Sequence, residues 1–423
     1  MKVLGIIAEY NPFHNGHLYH LNQSKSLCHA DYTICVMSGN FIQRGEPAII
    51  NKWARTEMAL SSGMDLVLEI PCVYAMASAE FFAYGSVKIL DSLGVIDYLC
   101  FGSEQGSLDE LDLIAQTLHN EPEAFKSMLK HELNKGMSFP SARESALDSY
   151  WDYLGVYENK LDVKKIIRSS NNILAVEYLK AIKKLRSTIK PIKIDRVINT
   201  YDAEQLTGSI SSATSIRRHI LGLAGSSCEN ELENVLPAST HSIVKREFEH
   251  GRGPVYSQSF GKILIAAVRR MTAGQLKALP YVSEGLENRI KDAANTSGTL
   301  DEFIDKISTR RYPNTRIQRS LFSILSGMTG EELDTFNRHG GPQYARVLGF
   351  NKRGQHLLAK MNKTSSLPII TKAANFKNSC NPLLRRMLEI ESASTDMYVL
   401  GYSSPEFMKA GQEYTQNVIR VDG

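Results

Sequence analysis

Two histidines and a glycine lie within four positions of one another near the start of the chain. The segment AEYNPFHNGH, residues 8–17, follows the apolar run Val3–Ala8 and carries His14, Gly16 and His17. If a helix begins near Gly16, these residues form a strand-to-helix turn whose glycine and free N–H groups suit an anion. Histidines there can bind phosphate oxygens and neutralise the charge that grows as pyrophosphate leaves an α-phosphate. The pattern therefore predicts a triphosphate site.

Two alternatives fit the same residues. His14, His17 and His20 recur every three positions and could ligate a metal, although no cysteine or acid stands at the spacing of a known metal motif. They could also simply cap and solvate a surface helix. From residue types alone, the phosphate site and the helix cap remain open.

The elements that must position this turn follow an alternating pattern. Short apolar runs rich in β-branched residues predict strands, and helical patterns such as Phe81–Leu93 separate them. The predicted strands are Val3–Ala8, Tyr32–Ser38, Asp65–Ile70, Tyr98–Phe101 and Ile192–Val197. Strands alternating with helices predict an α/β fold with a parallel, doubly wound sheet, which binds ligands where the strands end.

A chain of 423 residues is too long for one ordinary core, so we expect at least two domains. The polar stretch Leu223–Pro237 predicts a boundary, with a nucleotide-binding domain in residues 1–222 and a mainly helical domain in residues 238–423. Helical spacing runs through Ile263–Leu279 and Leu286–Ile307, and basic residues concentrate in Lys306–Arg319.

The composition is that of a globular protein, with 43% hydrophobic and 22% charged residues and a net charge of +4. Six scattered cysteines without a CxxC pair predict buried, reduced thiols rather than disulfides. No apolar stretch approaches the roughly 18 residues that span a bilayer. We therefore expect a cytoplasmic protein without a membrane partner, and the sequence leaves its oligomeric state open.

The HNGH segment resembles the (H/T)xGH signature of the HIGH nucleotidyltransferase superfamily, which transfers adenylyl groups on a Rossmann-like sheet. A second motif of that superfamily, ISSTxIR, resembles ISSATSIR, residues 210–217, although Ala213 departs from it. Ser212 and Thr214 can cap a helix there, and Arg217 can grip the outer phosphates. A surface arginine beside an ordinary helix cap is the alternative.

A closer resemblance, to the bacterial tRNA(Met) cytidine acetate ligases, extends over roughly residues 5–319. It rests on GIIAEYNPFHNGHLYHL, SGNFIQRGEPAIINKWARTEMAL, DLVLEIP, FGSE, SSNNILAVEYLKA, EGLENRI and STRRYPNTRIQR. The resemblance implies a Rossmann-like domain with a parallel sheet, followed by a mainly helical, basic domain. It implies an enzyme that uses ATP to convert acetate to acetyl-adenylate and acetylates N4 of the wobble cytidine of elongator tRNA(Met).

The same resemblance assigns candidate ATP-binding positions, with His14 and His17 as the catalytic pair. These positions are Ile7, Ala8, Glu9, Tyr10, Asn11, Pro12, Phe13, His14, Asn15, Gly16, His17, Leu18, Tyr19, His20, Gly102, Asn171, Arg196, Val197, Thr214 and Arg217. Gly102 follows a strand, where a glycine lets adenosine lie against the backbone. Asn171 can pair with a base or ribose, or cap a helix. Asp195 stands where the family usually has a basic residue.

The long loop SGNFIQRGEPAIINKWAR, residues 38–55, follows the second predicted strand and carries candidate substrate ligands. Gln43, Arg44, Lys52 and Arg55 could hold acetate, a phosphate or the RNA backbone. Acetate offers little beyond its carboxylate, so a small pocket with one positive charge would recognise it. Lys52 and Arg55 could instead form one face of the next helix.

The segment Lys306–Arg319 is the candidate RNA contact. Four arginines in it could bind phosphates: Arg310, Arg311, Arg316 and Arg319. Tyr312 could stack on an unpaired base, and Lys352 with Arg353 could extend the patch. A solvated helix face would show the same composition.

ATP is the expected co-substrate, with Mg²⁺ accompanying it, although the sequence carries no metal motif. Two other functions remain open: a small-molecule adenylyl- or cytidylyltransferase, and a non-catalytic RNA-binding protein that senses a nucleotide.

Overall fold

A computed structural model describes residues 1–155, 163–196, 210–222 and 229–422 of the chain. Its strands are β1 (Val3–Ala8), β2 (Tyr32–Ser38), β3 (Phe41–Ile42), β4 (Glu46–Pro47), β5 (Leu66–Ile70), β6 (Tyr98–Ser103), β7 (Lys190–Asp195), β8 (Ala345–Phe350), β9 (Ile369–Ile370) and β10 (Ile419–Arg420).

Its α-helices are α1 (Asn15–Cys28), α2 (Lys52–Ser61), α3 (Cys72–Ala75), α4 (Ala79–Ser92), α5 (Leu108–Asn120), α6 (Glu123–Asn134), α7 (Phe139–Leu154), α8 (Val163–Arg168), α9 (Ser170–Leu185), α10 (Ala213–Gly222), α11 (Glu229–Val235), α12 (Ala238–Glu249), α13 (Gly261–Arg270), α14 (Ala273–Lys277), α15 (Leu286–Thr296), α16 (Leu300–Ile307), α17 (Asn314–Ser326), α18 (Gly330–Arg338), α19 (Lys352–Thr364), α20 (Pro382–Tyr398) and α21 (Gln412–Thr415).

The main sheet has the strand order β10–β8–β5–β2–β1–β6–β7, with β9 paired to β8. The five strands from β5 to β7 are parallel. Their apolar runs are long because a parallel sheet is covered by helices on both faces. The predicted α/β fold is confirmed, and the structure places the carboxyl ends of these five strands along one edge.

Helices pack on both faces of the sheet, as a doubly wound fold requires. One apolar core includes Leu90 of α4 and Leu179 of α9. A second core includes Leu21 of α1, Met58 of α2 and Ile216 of α10.

Two predicted helical runs are each divided in two. The predicted run 263–279 is divided into α13 and α14. Thr272 marks the start of α14, because its side chain accepts the Gln275 N–H. The run 286–307 divides into α15 and α16, and Thr299 caps the second helix. A side-chain cap of this kind satisfies an N–H group that no helical carbonyl reaches.

The helices from α13 to α17 form a separate apolar core that contacts the sheet domain. Phe41, in the loop after β2, projects into this core, and its ring centroid lies 6.2 Å from that of Phe260 and 5.9 Å from that of Phe322. The substrate loop predicted from the sequence is therefore anchored to the helical region.

The end of the chain differs from the two-domain prediction. Strand β8 pairs antiparallel with β5, and β9 and β10 pair with β8, so residues after 344 extend the first domain's sheet. The predicted division at residues 223–237 remains a prediction, and residues 223–228 lie outside the described residues. A helical domain covering all of 238–423 is not what the structure shows.

Lys52 stands at the centre of a buried charged cluster that fixes this arrangement. Its Nζ lies 2.5 Å from Glu69, 3.1 Å from Glu391 and 2.8 Å from Glu413, and all four side chains are fully buried. Arg346 adds a second cation through an ion pair with Glu413. Burial and the nearby Glu69 carboxylate raise the pKa of Glu391 to about 7. With a proton on Glu391, the charges of the other two carboxylates would balance those of Lys52 and Arg346.

The described part of the chain contains no helix that is both long and apolar enough to cross a bilayer. Four cysteines are buried and unpaired, namely Cys28, Cys35, Cys72 and Cys100, whereas Cys380 is exposed. Cys228 lies outside the described residues.

Lys52→Met should destabilise the protein strongly, because it leaves buried carboxylates without their central cation. We expect the free energy of unfolding, measured by urea denaturation, to fall by about 3–5 kcal/mol. Lys126→Met, which breaks a solvent-exposed pair with Glu123, is the matched control and should change stability little. Equal stabilities of the two variants would contradict the structural role of the cluster.

Candidate active site

His14 and His17 cap the first helix through reciprocal hydrogen bonds. The Nδ1 atom of His14 accepts the Gly16 N–H at 3.1 Å, and the His14 N–H donates to Nδ1 of His17 at 3.3 Å. The ring centroids lie 3.8 Å apart in a stacked arrangement. Since both Nδ1 atoms accept, a neutral ring carries its proton on Nε2. The cap therefore leaves each imidazole with an N–H donor for a ligand.

Burial keeps these imidazoles uncharged near neutral pH. It lowers the pKa of His14 to about 3 and that of His20 to about 4, and it lowers the pKa of His17 well below its ordinary value. The charge of Arg196 lowers all three values further. From the sequence we expected the histidines to neutralise charge, whereas their burial makes them neutral donors instead.

Gly16 is required by the close approach of the first histidine. A Cβ atom at Gly16 would lie 2.9 Å from Cε1 of His14, which is closer than the two atoms can approach. The glycine thus lets the His14 ring fold over the first turn of α1, where the free N–H groups are.

The other residues of the predicted segment support this turn. Tyr10, Asn11 and Phe13 are buried, and the Asn11 Oδ1 accepts the Ile49 N–H at 2.8 Å. Asn15 donates to the carbonyl of Asn234 at 3.0 Å. Ile7, Ala8 and Leu18 are half-buried, Pro12 is buried and Tyr19 is exposed. The turn is therefore attached to the core, and the structure brings the histidines together at its surface.

Gly102, Asn171 and Arg196 meet beside the histidines, at the ends of β6 and β7. Arg196 donates to the Oδ1 of Asn171 at 2.8 Å, and the stem of Arg196 lies over Gly102, 3.1 Å from where a Cβ would be. Asn171 also donates to Glu104. The predicted nucleoside residues thus form one connected group. Val197 lies outside the described residues.

Two doubts about this group are settled by its contacts. The cap of α9 is Ser169, which accepts the Asn172 N–H, so the alternative helix-capping role of Asn171 is wrong. Asp195 is paired with Lys193 at 2.5 Å, so its charge is offset within the strand end.

Glu104 is a residue of this site that the sequence analysis did not single out. Its Oε1 accepts from Asn171, and its Oε2 is buried without a hydrogen-bond partner. The only signal was its place in FGSE, directly after β6.

The second motif is joined to the first through Arg217. Its guanidinium donates to the carbonyl of Asn11 at 3.0 Å and lies 3.4 Å from the Thr214 hydroxyl. Ser212 accepts the Ser215 N–H at 3.1 Å and so serves as the cap. Ser212 therefore caps this helix, and Thr214 orients the arginine.

The loop after β2 contributes Gln43 and Arg44 to the other side of the turn. The Gln43 N–H donates to Oε1 of Glu9 at 2.8 Å, and its side-chain amide donates to the Ala77 carbonyl at 3.1 Å. Arg44 is exposed. Arg319 of α17 lies against this loop, with Nη1 3.5 Å from the Gln43 carbonyl and Nε buried without a partner.

Lys52 and Arg55 are not open to a ligand from solvent. Lys52 is enclosed by the three glutamates described above, and Arg55 is fully buried. The Arg55 guanidinium donates to the carbonyls of Glu9, at 2.6 Å, and of Ser38, at 3.1 Å. Their helix faces the core, so these positions favour a structural role: Arg55 holds the ends of β1 and β2 together.

The basic segment divides into exposed and internally bonded arginines. Arg310 and Arg311 are exposed, and Arg311 pairs with Glu284 at 2.7 Å. Arg316 donates to the Tyr281 carbonyl at 2.9 Å and lies over the ring of Tyr312.

Two suggested extensions of the RNA surface are corrected. Tyr312 is only 9% exposed, which leaves its ring no open face for a base. Arg353 pairs with Asp65 at 3.1 Å and contacts Asp31. These two acids stand just before β5 and β2, at the amino ends of the strands. Arg353, and with it Lys352, therefore lies at the sheet edge opposite the histidines.

No group of three or more histidine, cysteine or acidic side chains within the described ranges could hold a metal ion. His14, His17 and His20 are brought together by the turn, but His14 and His17 use their Nδ1 atoms in the cap.

Comparison with known proteins identifies the family. The model of the HIGH Nucleotidyl Transferase family matches residues 1–413. The tRNA(Met) cytidine acetate ligase of Acetivibrio thermocellus is 54% identical over 99% of this chain and 100% of its own length. That of Halothermothrix orenii is 43% identical, again over 99% and 100%. The chain belongs to the tRNA(Met) cytidine acetate ligase family.

Solved structures of this ligase family support the same assignment. Thermotoga maritima TmcAL bound with alpha-thio ATP is 36% identical and matches with a TM-score of 0.92 over 100% of both chains. The apo form of the same protein matches with a TM-score of 0.95, also over 100% of both chains. The predicted membership of this ligase family, and with it the Rossmann-like fold, is confirmed.

His20→Gln should reduce the acid sensitivity of this family member. Folding lowers the pKa of His20 to about 4, so below about pH 6.5 the unfolded chain binds more protons than the folded protein. The free energy of unfolding therefore decreases as the pH is lowered from about 6.5 to about 4. Between pH 7 and pH 5, the wild-type protein should lose about 1–2 kcal/mol more than the variant in urea unfolding. An identical pH dependence in both proteins would mean that His20 is not buried as a neutral group.

Proposed function

We propose that the protein activates acetate with ATP and transfers the acetyl group to N4 of the wobble cytidine of elongator tRNA(Met). The ligase activity follows from membership of the family. The observation that carries the chemistry is the pair of neutral imidazoles at the N-terminus of α1, each with a free Nε2 donor. The full-length relatives favour this reaction over a small-molecule nucleotidyltransferase or a nucleotide sensor without turnover.

The first step is adenylation of acetate. The triphosphate would lie on the turn after β1, with Gly102, Asn171 and Arg196 on its nucleoside side. An acetate oxygen forms a bond with the α-phosphorus while the bond to the β-phosphate oxygen breaks and pyrophosphate leaves. Donors from His14 and His17 stabilise the charge of the transition state, and their rigid cap means that they need no reorganisation.

Arg217 and Mg²⁺ complete the phosphate site in this proposal. Arg217 is held by Asn11 and Thr214 and would bind the outer phosphates. Mg²⁺ usually keeps several waters and binds phosphate oxygens, so it needs no dedicated protein cage.

Acetate would enter from the side of the loop after β2. Gln43 and the exposed Arg44 reach that side, and a single cation with one or two hydrogen-bond donors suits a two-carbon carboxylate. The anticodon of tRNA would approach over the segment between α16 and α17, where Arg310 and Arg311 are exposed to solvent. The cytidine must leave its stack to reach the acyl group. Because the proposed substrate is a tRNA, we also propose a cytoplasmic location for the protein.

His17→Ala should abolish acetyl-adenylate formation and leave tRNA binding nearly intact, since the imidazole lies in the phosphate turn and not among the exposed arginines. Acetate-dependent exchange of labelled pyrophosphate into ATP measures acetyl-adenylate formation, and filter binding measures the affinity for tRNA. Full exchange activity in the variant would remove the proposed role of the histidine.

The reaction itself is tested by mass analysis of tRNA nucleosides after incubation with ATP and isotopically labelled acetate. The label should appear in N4-acetylcytidine and require ATP. ATP binding without any label in tRNA would instead support the sensor alternative.

Arg310→Gln should weaken tRNA binding and reduce the slope of log affinity against log salt by about 1, as expected for the loss of one phosphate contact. Lys126→Gln removes an exposed cation from the distant helix α6 and is the control. An unchanged slope in the Arg310 variant would place the RNA elsewhere.

A further inference from the structure

The strand order divides the active site into two halves around the end of β1. On one side lie β6 and β7, whose ends carry Gly102 and Arg196 beside the histidines. On the other side lies β2, whose following loop carries Gln43 and Arg44 and contacts α17. If the nucleoside occupies the first half, the attacking amine must enter through the second. A group that accepts the proton of this amine must therefore lie in the second half.

The two catalytic histidines do not suit this task. Each uses Nδ1 as an acceptor within the cap, so the remaining ring nitrogen is a donor. A ring that donates from Nε2 and accepts at Nδ1 has no free lone pair for a further proton. The residue type that most often serves as a general base is thus already committed to another role.

Glu9 is the first residue after β1 and faces the second half. Its Oε1 accepts the Gln43 N–H at 2.8 Å. Among the described residues, no hydrogen bond is made by Oε2, and the side chain is only partly buried. One carboxylate oxygen is therefore held in place and the other is free to accept.

The surroundings of Glu9 make its carboxylate more basic than an ordinary glutamate. Burial raises its pKa, whereas the charges of Arg217, Arg44 and Arg55 oppose that rise. Tyr178 of α9 also lies within electrostatic reach. A carboxylate whose pKa is raised binds a proton more strongly than an ordinary carboxylate, which favours removal of a proton from an amine.

Other acids near the site have partners that point elsewhere. Glu46 accepts from Gln318 of α17 at 3.2 Å, and Glu104 accepts from Asn171 in the nucleoside half. Glu9 alone of these three stands next to the phosphate turn on the side where the amine enters.

We propose that Glu9 is the general base of the acetyl-transfer step, which rests on the function proposed above. The cytidine N4 attacks the acetyl carbonyl carbon and forms the C–N bond. The carboxylate of Glu9 takes one N4 proton, and the bond between the carbonyl carbon and the AMP oxygen breaks. N4-acetylcytidine and AMP are the products, and the proton on Glu9 then passes to solvent.

Glu9→Gln is the decisive variant, because it keeps an oxygen for the Gln43 N–H but removes the base. Activation is measured by trapping acetyl-adenylate with hydroxylamine, a nucleophile that needs no general base. Transfer is measured as label in tRNA from the same preparation. We expect the ratio of transfer to activation to fall 10²- to 10⁴-fold. Glu46→Gln, on the neighbouring loop, is the matched control and should keep the wild-type ratio.

Further measurements separate a base from a positioning group. Glu9→Asp retains a carboxylate and should recover part of the transfer. Wild-type transfer should rise with pH through the pKa of Glu9, and the Gln variant should lack this rise. A Gln variant whose ratio stays within threefold of the Glu46 control overturns the proposal, as does an equal loss of activation and transfer. Failure of the wild-type protein to label tRNA would instead overturn the proposed function.

Discussion

The hydrogen bonds through which His14 and His17 cap α1 are the constraint on which the active site depends. They fix the start of α1 against the end of β1, and they decide which nitrogen of each imidazole faces a ligand. Because burial keeps the rings neutral, the turn can offer donors without placing two positive charges side by side. Gly16 allows the first ring to close over the helix, and Arg217 brings the second motif onto the same turn. The helix cap and the proposed phosphate site are thus formed by the same residues.

A second constraint lies beneath the substrate loop. Lys52 and Arg55 belong to one helix, and both side chains point inward. Lys52 binds the carboxylates of Glu69, Glu391 and Glu413, and Arg55 binds carbonyls at the ends of β1 and β2. The loop that precedes them is therefore held at its base by charges in the interior. Its tip is held by the packing of Phe41 against the helical core. A loop fixed at both ends can present Gln43 and Arg44 in a defined position.

Much of this arrangement was predictable from the sequence, and the features that were not predicted were missed for identifiable physical reasons. Buried parallel strands appear as apolar runs, and the spacing of His14, Gly16 and His17 marks the turn. The inward position of Lys52 could not be predicted, since its partners Glu391 and Glu413 lie 339 and 361 residues away. The neutrality of the histidines depends on burial, and the enclosed ring of Tyr312 depends on tertiary packing. The return of β8 to the sheet was missed because it pairs with a strand nearly 280 residues earlier.

The pairing of β8 and β10 with the first domain also has a consequence for synthesis on the ribosome. The sheet needs residues 345–350 and 419–420 to complete one edge, and the central lysine needs Glu413 to balance its charge. The amino-terminal part of the chain leaves the exit tunnel first, yet it lacks these partners until residues 345–420 have also been synthesised. Its final packing therefore waits for these later residues, so a product truncated before them is left with an open sheet edge and an unbalanced interior.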